Sequence, residues 1–577
     1  MMKHRATALT ILMILLLFLL PLRAGAESGA AASASGEENT AEETHAFPEN
    51  GIPVLTLTID PEEYQKVVSS YRHEYRAENG SIRLDVPDGW TSEYGEADGE
   101  TLGRELPLAY IRGRGNSTWL EDKKPYRFRL AESADIFGMG ANEHWVLLAN
   151  AKDDSLLRNR IAACVGDALG LAFTPKFVPV DLVVNGEYQG SYLLGEQVRI
   201  GENRIEIDKI KKSQTGLPEI SGGYLLAMSP SEKDTDAGKF TLKSGMSFLV
   251  EEPELDEYGE PQQAALEAQK DYIVKYMQSV EDAVFGEDFR NAEGAAVSEL
   301  MDLESAAKYW WVQCFAYNDD GFDSTSTYLY KERDGKLFFG PLWDFDRSFW
   351  INGNANFLNN AKMPWLDHLR ANDPEYQQIL RAAWEELQDI LEEVIREGGV
   401  LDRYREEIRL SWEQDHELWR GAPRDDGELD RTVESIRGNI RERREAIGAV
   451  IDTGLARVFA EVTFVDGEQV LARKTVYAGE SLSAGDFPEA EEKEGFAFLG
   501  WTDGNGQEFG RDSRVFSDMT VLAAYREKET APETKPAPQE ADGTDSAGWI
   551  IAAGAVSVLI AGAAASVLRG RRKMDKS

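Results

Sequence analysis

The feature that most constrains this chain is a change in the period of its apolar residues near Pro261. Before that point, apolar and polar residues alternate in short runs: "PVLTLTID", "SIRLDV", "LAYIRGRG", "YRFRL", "HWVLLAN", "VPVDLVVNG", "QGSYLLGEQV" and "GGYLLAM". A period of two predicts strands. One helix interrupts them: in "SLLRNRIAACVGDALG", Leu156, Leu157, Ile161, Val165 and Leu169 recur at helical spacing, and Gly170 supplies a stop. The spacing predicts that this helix opens at Asp153-Asp154-Ser155, where Asp or Ser provides the cap. From Pro261 the period is helical, broken by a hairpin, "STYLYKERDGKLFFGPLWDFD", with Asp334-Gly335 as its turn. After Pro374, charged helices continue to about Gly448. A sheet-rich part followed by a helical part predicts an α+β, bilobal domain over 48–455, with a cleft between the lobes.

A second domain is expected at 460–527, where "EVTFVDGEQVLARKTVYAG" alternates around the turn Asp466-Gly467. Beyond it, 528–547 is rich in Pro, Glu and Thr and reads as a flexible stalk. The run Gly548–Leu568 is apolar and uncharged, and spans about 31 Å as a helix, enough to cross a bilayer. Arg569, Arg571, Arg572 and Lys573 follow it, so 569–577 reads as a cytoplasmic basic tail. At the other end, 1–26 carries a basic start, an apolar run and Ala24-Gly25-Ala26, the pattern of a signal peptide; an uncleaved anchor is the alternative. Residues 27–47 form a polar linker. The expected location is the cell membrane, single-pass, with the main body extracellular.

Charge narrows the partners. The 577 residues hold 62 Lys+Arg against 102 Asp+Glu, a net charge of −40, which argues against nucleic acid as a partner. Two cysteines, Cys164 and Cys314, exclude a disulfide scaffold, and six scattered histidines without HExxH argue against a zincin.

Three groupings carry chemistry. In "RGRGNSTW…KKPYRFRL", Arg114 stands beside Gly115 in a polar turn, and Lys123 and Lys124 lead into a strand. Glycine permits close backbone approach and cations suit phosphate oxygens, although an ordinary hairpin has the same composition. Arg158 and Arg160 sit in the first turns of the lone helix, against its dipole, so they need an anionic partner: a surface carboxylate or a bound anion. In "YNDDGFDSTSTYLY…GKLFFGPLWDFD", Asp319, Asp320 and Asp323 follow an apolar helix, and Asp344 and Asp346 end the next hairpin. Such carboxylates can converge on Mg²⁺ or Mn²⁺, and one can accept a hydroxyl proton; in so acidic a chain, the clusters also arise by chance.

Taken together and in order, "RGRGNST", "KKPYRFRL", "HWVLLANAKDDSLLRNRIA", "NGEYQGSYLLGEQV" and "GPLWDFD" resemble the spore-coat-H (CotH) kinase family over roughly 50–450. The resemblance implies an atypical protein-kinase-like fold that binds ATP with Mg²⁺ or Mn²⁺ and moves phosphate to Ser or Thr of a surface or coat protein. It gives Asp320 the catalytic role, and Asp344, with Asp346 and Asp323, the metal. Lys124, or its neighbour Lys123, would meet the ATP phosphates with Arg114 and Arg158, and Glu196 would mark the segment near the adenine. Two features depart from the family pattern. Ser326 stands where a second metal ligand, Asn, is usual, and "GPLWDFD" carries one residue more than the usual "PWD". The stretch 460–527 resembles the Listeria–Bacteroides repeat, a β-grasp-like surface module, through Phe464, Gly479, "GFAFLGW" and Ala524-Tyr525. There Trp501 reads either as a ligand platform or as the core aromatic. Two other functions stay open: a catalytically inactive scaffold for surface or spore-coat assembly, and an adhesin acting through 460–527.

Overall fold

A computed structural model of the chain describes residues 49–95, 99, 101–229, 237–318, 321, 325–349, 363–421, 427–455 and 558–559. It also describes 459–528 apart from 468, 478–479, 491–492, 505, 512 and 516–518. The alternating segments of the first half form seven strands: β1 (Val54–Thr58), β2 (Ser81–Asp85), β3 (Glu105–Gly113), β4 (Tyr126–Ala134), β5 (Asn142–Leu148), β6 (Phe177–Val184) and β7 (Glu187–Glu196). They close into a barrel in the order β1-β2-β3-β4-β5-β7-β6. Only the β1–β6 seam, with Val54 opposite Asp181, is parallel. Alternate side chains such as Leu55, Leu57, Ile82, Leu84, Phe128, Leu130, Trp145 and Leu147 fill the interior. Helix α1 (Pro61–Ser69) begins with a proline and is capped by Asp60, whose carboxylate accepts the amides of Glu62 and Glu63. It drops Val67 onto the barrel core.

Half-buried His144 on β5 has an unpartnered ring Nδ1 and lies near Arg199, Arg129 and Lys209. Burial, then repulsion from Arg199, lowers its pKa to about 3. The unfolded chain takes up a proton near pH 6.5 that the folded chain refuses. The stability His144 contributes is therefore complete above pH 6.5 and is lost as the pH falls toward 3. Urea midpoints measured between pH 7 and 4.5 should fall less steeply in His144→Gln than in the parent chain.

The interrupting helix, α2 (Arg158–Ala168), starts later than its sequence pattern predicts. Leu156 adopts a positive φ of 61°, which breaks the helix there. Buried Asp153 instead closes the preceding turn, accepting from the Ser155 amide (2.9 Å), the Ser155 hydroxyl (2.6 Å) and the Arg158 amide (2.9 Å). Asp153 thus caps α2 from five residues upstream.

A second sheet, in the order β12-β11-β8-β10-β9, combines β8 (Tyr224–Met228), β9 (Lys239–Thr241), β10 (Ser247–Glu252) and the hairpin of β11 (Tyr328–Lys331) with β12 (Leu337–Phe339). Seven further helices belong to this half: α3 (Gln263–Val284), α4 (Val297–Leu300), α5 (Leu303–Ala316), α6 (Pro364–Asn372), α7 (Pro374–Ile395), α8 (Val400–Trp419) and α9 (Glu428–Gly454). Their shared core is rich in tryptophan. Trp311 lies 4.7 Å from Trp310 and 4.9 Å from Trp384 between ring centres. Helix α8 packs on β7, which is buried on both faces from Gly190 onward. The two cysteines are free, Cys164 half-buried and Cys314 buried.

The C-terminal strands are β13 (Phe459–Asp466), β14 (Gln469–Tyr477), β15 (Glu480–Ser481), β16 (Phe496–Thr502), β17 (Glu508–Phe509), β18 (Arg514–Val515), β19 (Met519–Glu527) and β20 (Val558–Leu559). The main sheet runs β14-β13-β19-β16-β17 with β13 and β19 parallel. Trp501 is buried, its ring 4.8 Å from that of Phe464, so it serves as core and not as an open platform.

The expected transmembrane helix at 548–568 lies outside the described residues apart from Val558 and Leu559. These two form a strand paired with Tyr525 and Arg526. No helix among the described residues is long and apolar enough to cross a membrane. The expected signal peptide 1–26, linker 27–47 and basic tail 569–577 lie outside the described residues, as does the stalk 528–547 beyond Lys528.

Candidate active site

The β11–β12 hairpin leads into a turn whose central residue, Asp344, has a φ of +68°. A non-glycine residue holds this conformation when its surroundings fix it. Here Asn318, just after α5, donates its side-chain amide to the Asp344 carbonyl at 3.1 Å. On the other side, Asn159 of α2 accepts the Phe345 amide at 2.8 Å, and Phe345 itself is buried in the helical core. The turn is thus clamped from two helices, and Asp344 and Asp346 line one cavity of about 310 Å³.

The opposite wall is the loop from Arg114 to Thr118 between β3 and β4. Gly115 sits there at φ +82°, and a Cβ would lie 2.2 Å from the Thr118 hydroxyl oxygen, so only glycine fits. The Arg114 guanidinium lies 5.2 Å from the Trp343 ring centre. It has no ion-pair partner among the described residues, and burial lowers its pKa while Asp344 and Asp346 pull it back up. Ser326 donates its hydroxyl to Asp344 Oδ2 at 2.8 Å. Asn150 and Asn159, joined by a 3.1 Å hydrogen bond, complete the end of the cavity.

Of the residues singled out in the sequence, the fold brings Arg114, Asp344 and Asp346 to this cavity. Arg158 supports it from behind: its guanidinium donates to the Asp346 carbonyl at 3.1 Å and pairs with Asp153 at 3.3 Å. That is the anionic partner its helical position demanded. Arg160 is likewise paired, with Glu93 and Glu407.

Lys123, Lys124 and Glu196 do not line this cavity. Lys123 is buried away from the cavity, where its ammonium pairs with Asp415 of α8 and donates to the Ser191 carbonyl at 2.5 Å. Lys124 donates to the carbonyls of Trp119 (2.8 Å) and Glu121 (2.6 Å), closing its own loop. Glu196 is buried, paired with Arg204 at 2.8 Å and accepting the Lys176 amide at 3.0 Å. Asp320 and Asp323 lie outside the described residues. The sequence reading missed Asn150, Asn159 and Trp343. Asn159 carries a visible signal: it is a polar side chain between two arginines on a helix that is otherwise apolar toward the core.

A divalent cation suits this donor set. Asp344 and Asp346 offer hard oxygens, and a polyphosphate brings further oxygens of its own. The described residues hold no cluster of three or more ligating side chains, so the site depends on a ligand, or on residues outside that set, to complete coordination.

The profile of the CotH kinase protein family matches residues 111–447, more than half of the chain and all of the cavity wall just described. The chain belongs to the CotH kinase family. No curated protein matches it.

Proposed function

We propose that this protein is a metal-dependent kinase that transfers the ATP γ-phosphate to Ser or Thr of a surface or coat protein. The observation that carries this reading is the placing of Asp344, Asp346 and unpaired Arg114 around one cavity in a CotH-family chain. Phosphoryl transfer asks little covalent work of a protein; it needs positioning and cations on the phosphate oxygens. A bound Mg²⁺ or Mn²⁺ neutralises phosphate charge. Arg114 supplies fixed positive charge, and Arg158 fixes the turn that bears Asp344 and Asp346. Asp320 takes the part of orienting the acceptor hydroxyl. Its neighbour Gly321 donates its amide to Asn318 at 3.1 Å, the residue that holds the Asp344 carbonyl.

The supporting test is calorimetric titration of ATP with and without Mn²⁺. Binding is expected to require the metal in the parent chain, and this metal-dependent binding is expected to be lost in Asp344→Asn. Ser326 makes a finer prediction. Its hydroxyl orients Asp344, and removing such a partner weakens metal sites by about 10–100-fold. Ser326→Ala should therefore weaken metal-dependent ATP binding by at least about tenfold, while Ser326→Asn should retain it.

The same residue favours one rival. A hydroxyl is a poorer metal ligand than the carboxamide usual there, which suits an inactive scaffold that binds nucleotide without transfer. The basic and apolar ends of the sequence support a secreted protein anchored at the cell membrane with this domain outside, and 460–527 acting as a surface module.

A further inference from the structure

A second cavity, of about 180 Å³, adjoins the first across Arg114, Gly115, Tyr328 and Trp343. Its far side is basic. Arg112 of β3 and Arg127 of β4 stand directly opposite each other in the barrel ladder, and His73 lies beside them. Like charges directly across a ladder destabilise it. Among the described residues, no carboxylate pairs with Arg112 or Arg127. The Arg112 guanidinium reaches only His73 Nδ1 (3.1 Å) and the Gly113 carbonyl (3.3 Å). Buried Arg127 Nε has no hydrogen-bond partner, nor has Gln197 Oε1 on the adjoining wall. Among the described residues, Glu251 is the one carboxylate that lines the chamber. Burial, then repulsion from Arg127 and Arg76, lowers the pKa of Arg112 to about 10. Three guanidinium groups, Arg112, Arg114 and Arg127, thus share one pocket, and none of them forms an ion pair among the described residues.

We infer that this chamber is an anion site, built by Arg112 and Arg127 with Arg114 as the shared wall, for a phosphate group other than the one transferred. A phosphate monoester or diphosphate presents several charged acceptor oxygens to converging guanidinium forks, and it cancels the cross-strand repulsion. Two sources have this chemistry: a phosphate of the nucleotide, or a phosphorylated side chain of the acceptor protein. The inference takes its functional sense from the kinase reading, but binding here needs neither metal nor transfer.

The test uses the full chain in EDTA with inorganic pyrophosphate as probe, followed by calorimetry and thermal melts. Pyrophosphate should bind the parent and raise its melting temperature. Arg112→Gln and Arg127→Gln should each weaken binding by about tenfold or more, the loss of one charged hydrogen bond. Without anion, both arginine variants should melt above the parent, because the repulsion is relieved; this separates loss of a site from loss of fold. Displacement of pyrophosphate by phosphoserine alone assigns the site to the acceptor, and displacement by ADP alone assigns it to the nucleotide. An inert parent, unchanged affinity in both arginine variants, variants that melt below the parent without anion, or displacement by neither competitor would each overturn the inference. Because metal is absent throughout, failure of the kinase reading leaves these outcomes unchanged.

Discussion

Asp344→Asn is expected to lower phosphate transfer by about 10²–10³-fold, the usual cost of removing one preorganised charge-stabilising group from an active site. Asparagine is the informative replacement. It tolerates the left-handed backbone that Asp344 adopts at φ +68°, whereas alanine there would add strain. It also retains an oxygen to accept the Ser326 hydroxyl. The unfolding free energy from urea denaturation should therefore stay within about 0.5 kcal/mol of the parent, as for substitutions that leave packing intact. Equal loss of transfer and of stability would show instead that Asp344 is part of the scaffold.

The second large effect belongs to Lys123. Its side chain and that of Asp415 are both almost fully buried, 4% and 1% exposed, and they pair across 292 residues of sequence. The carboxylate also accepts the Ser191 amide at 2.9 Å, tying α8 to the barrel. Removing one member of a buried pair leaves the other charge unmatched, at a cost of about 3–5 kcal/mol. Lys123→Met should lose that much in urea denaturation, and Lys123→Met combined with Asp415→Leu should recover most of it. If Lys123 were instead a nucleotide lysine, Lys123→Met would keep its stability and lose ATP affinity.

These two residues mark what the sequence makes legible. Strand alternation foretold strands such as β1 and β4 because one face of each fills the barrel core: Leu55 and Leu57, or Phe128 and Leu130, are buried while Thr56 and Arg129 are more exposed. Asp344 and Asp346 were legible as a pair because they follow a hairpin whose turn residues, Asp334-Gly335, are local. The helix start was misplaced because Leu156 takes a positive φ that no periodicity encodes. Lys124, with Lys123 as its alternative, read as the lysine that meets the ATP phosphates, yet the fold sends Lys123 to Asp415 on a distant helix and Lys124 to its own loop carbonyls. Arg112 and Arg127 were unremarkable in sequence; only the strand register sets them face to face. Pairings of that range live in tertiary structure, and local patterns do not carry them.

The central claim is that the cavity bounded by Asp344, Asp346 and Arg114 moves phosphate. It is tested most directly by incubating the full chain with γ-labelled ATP and Mg²⁺ or Mn²⁺, beside Asp344→Asn and Asp320→Asn. Label is expected in protein with the parent chain, and in neither variant. A folded parent chain that binds ATP with metal yet incorporates no label, or variants that label as well as the parent, would contradict the claim.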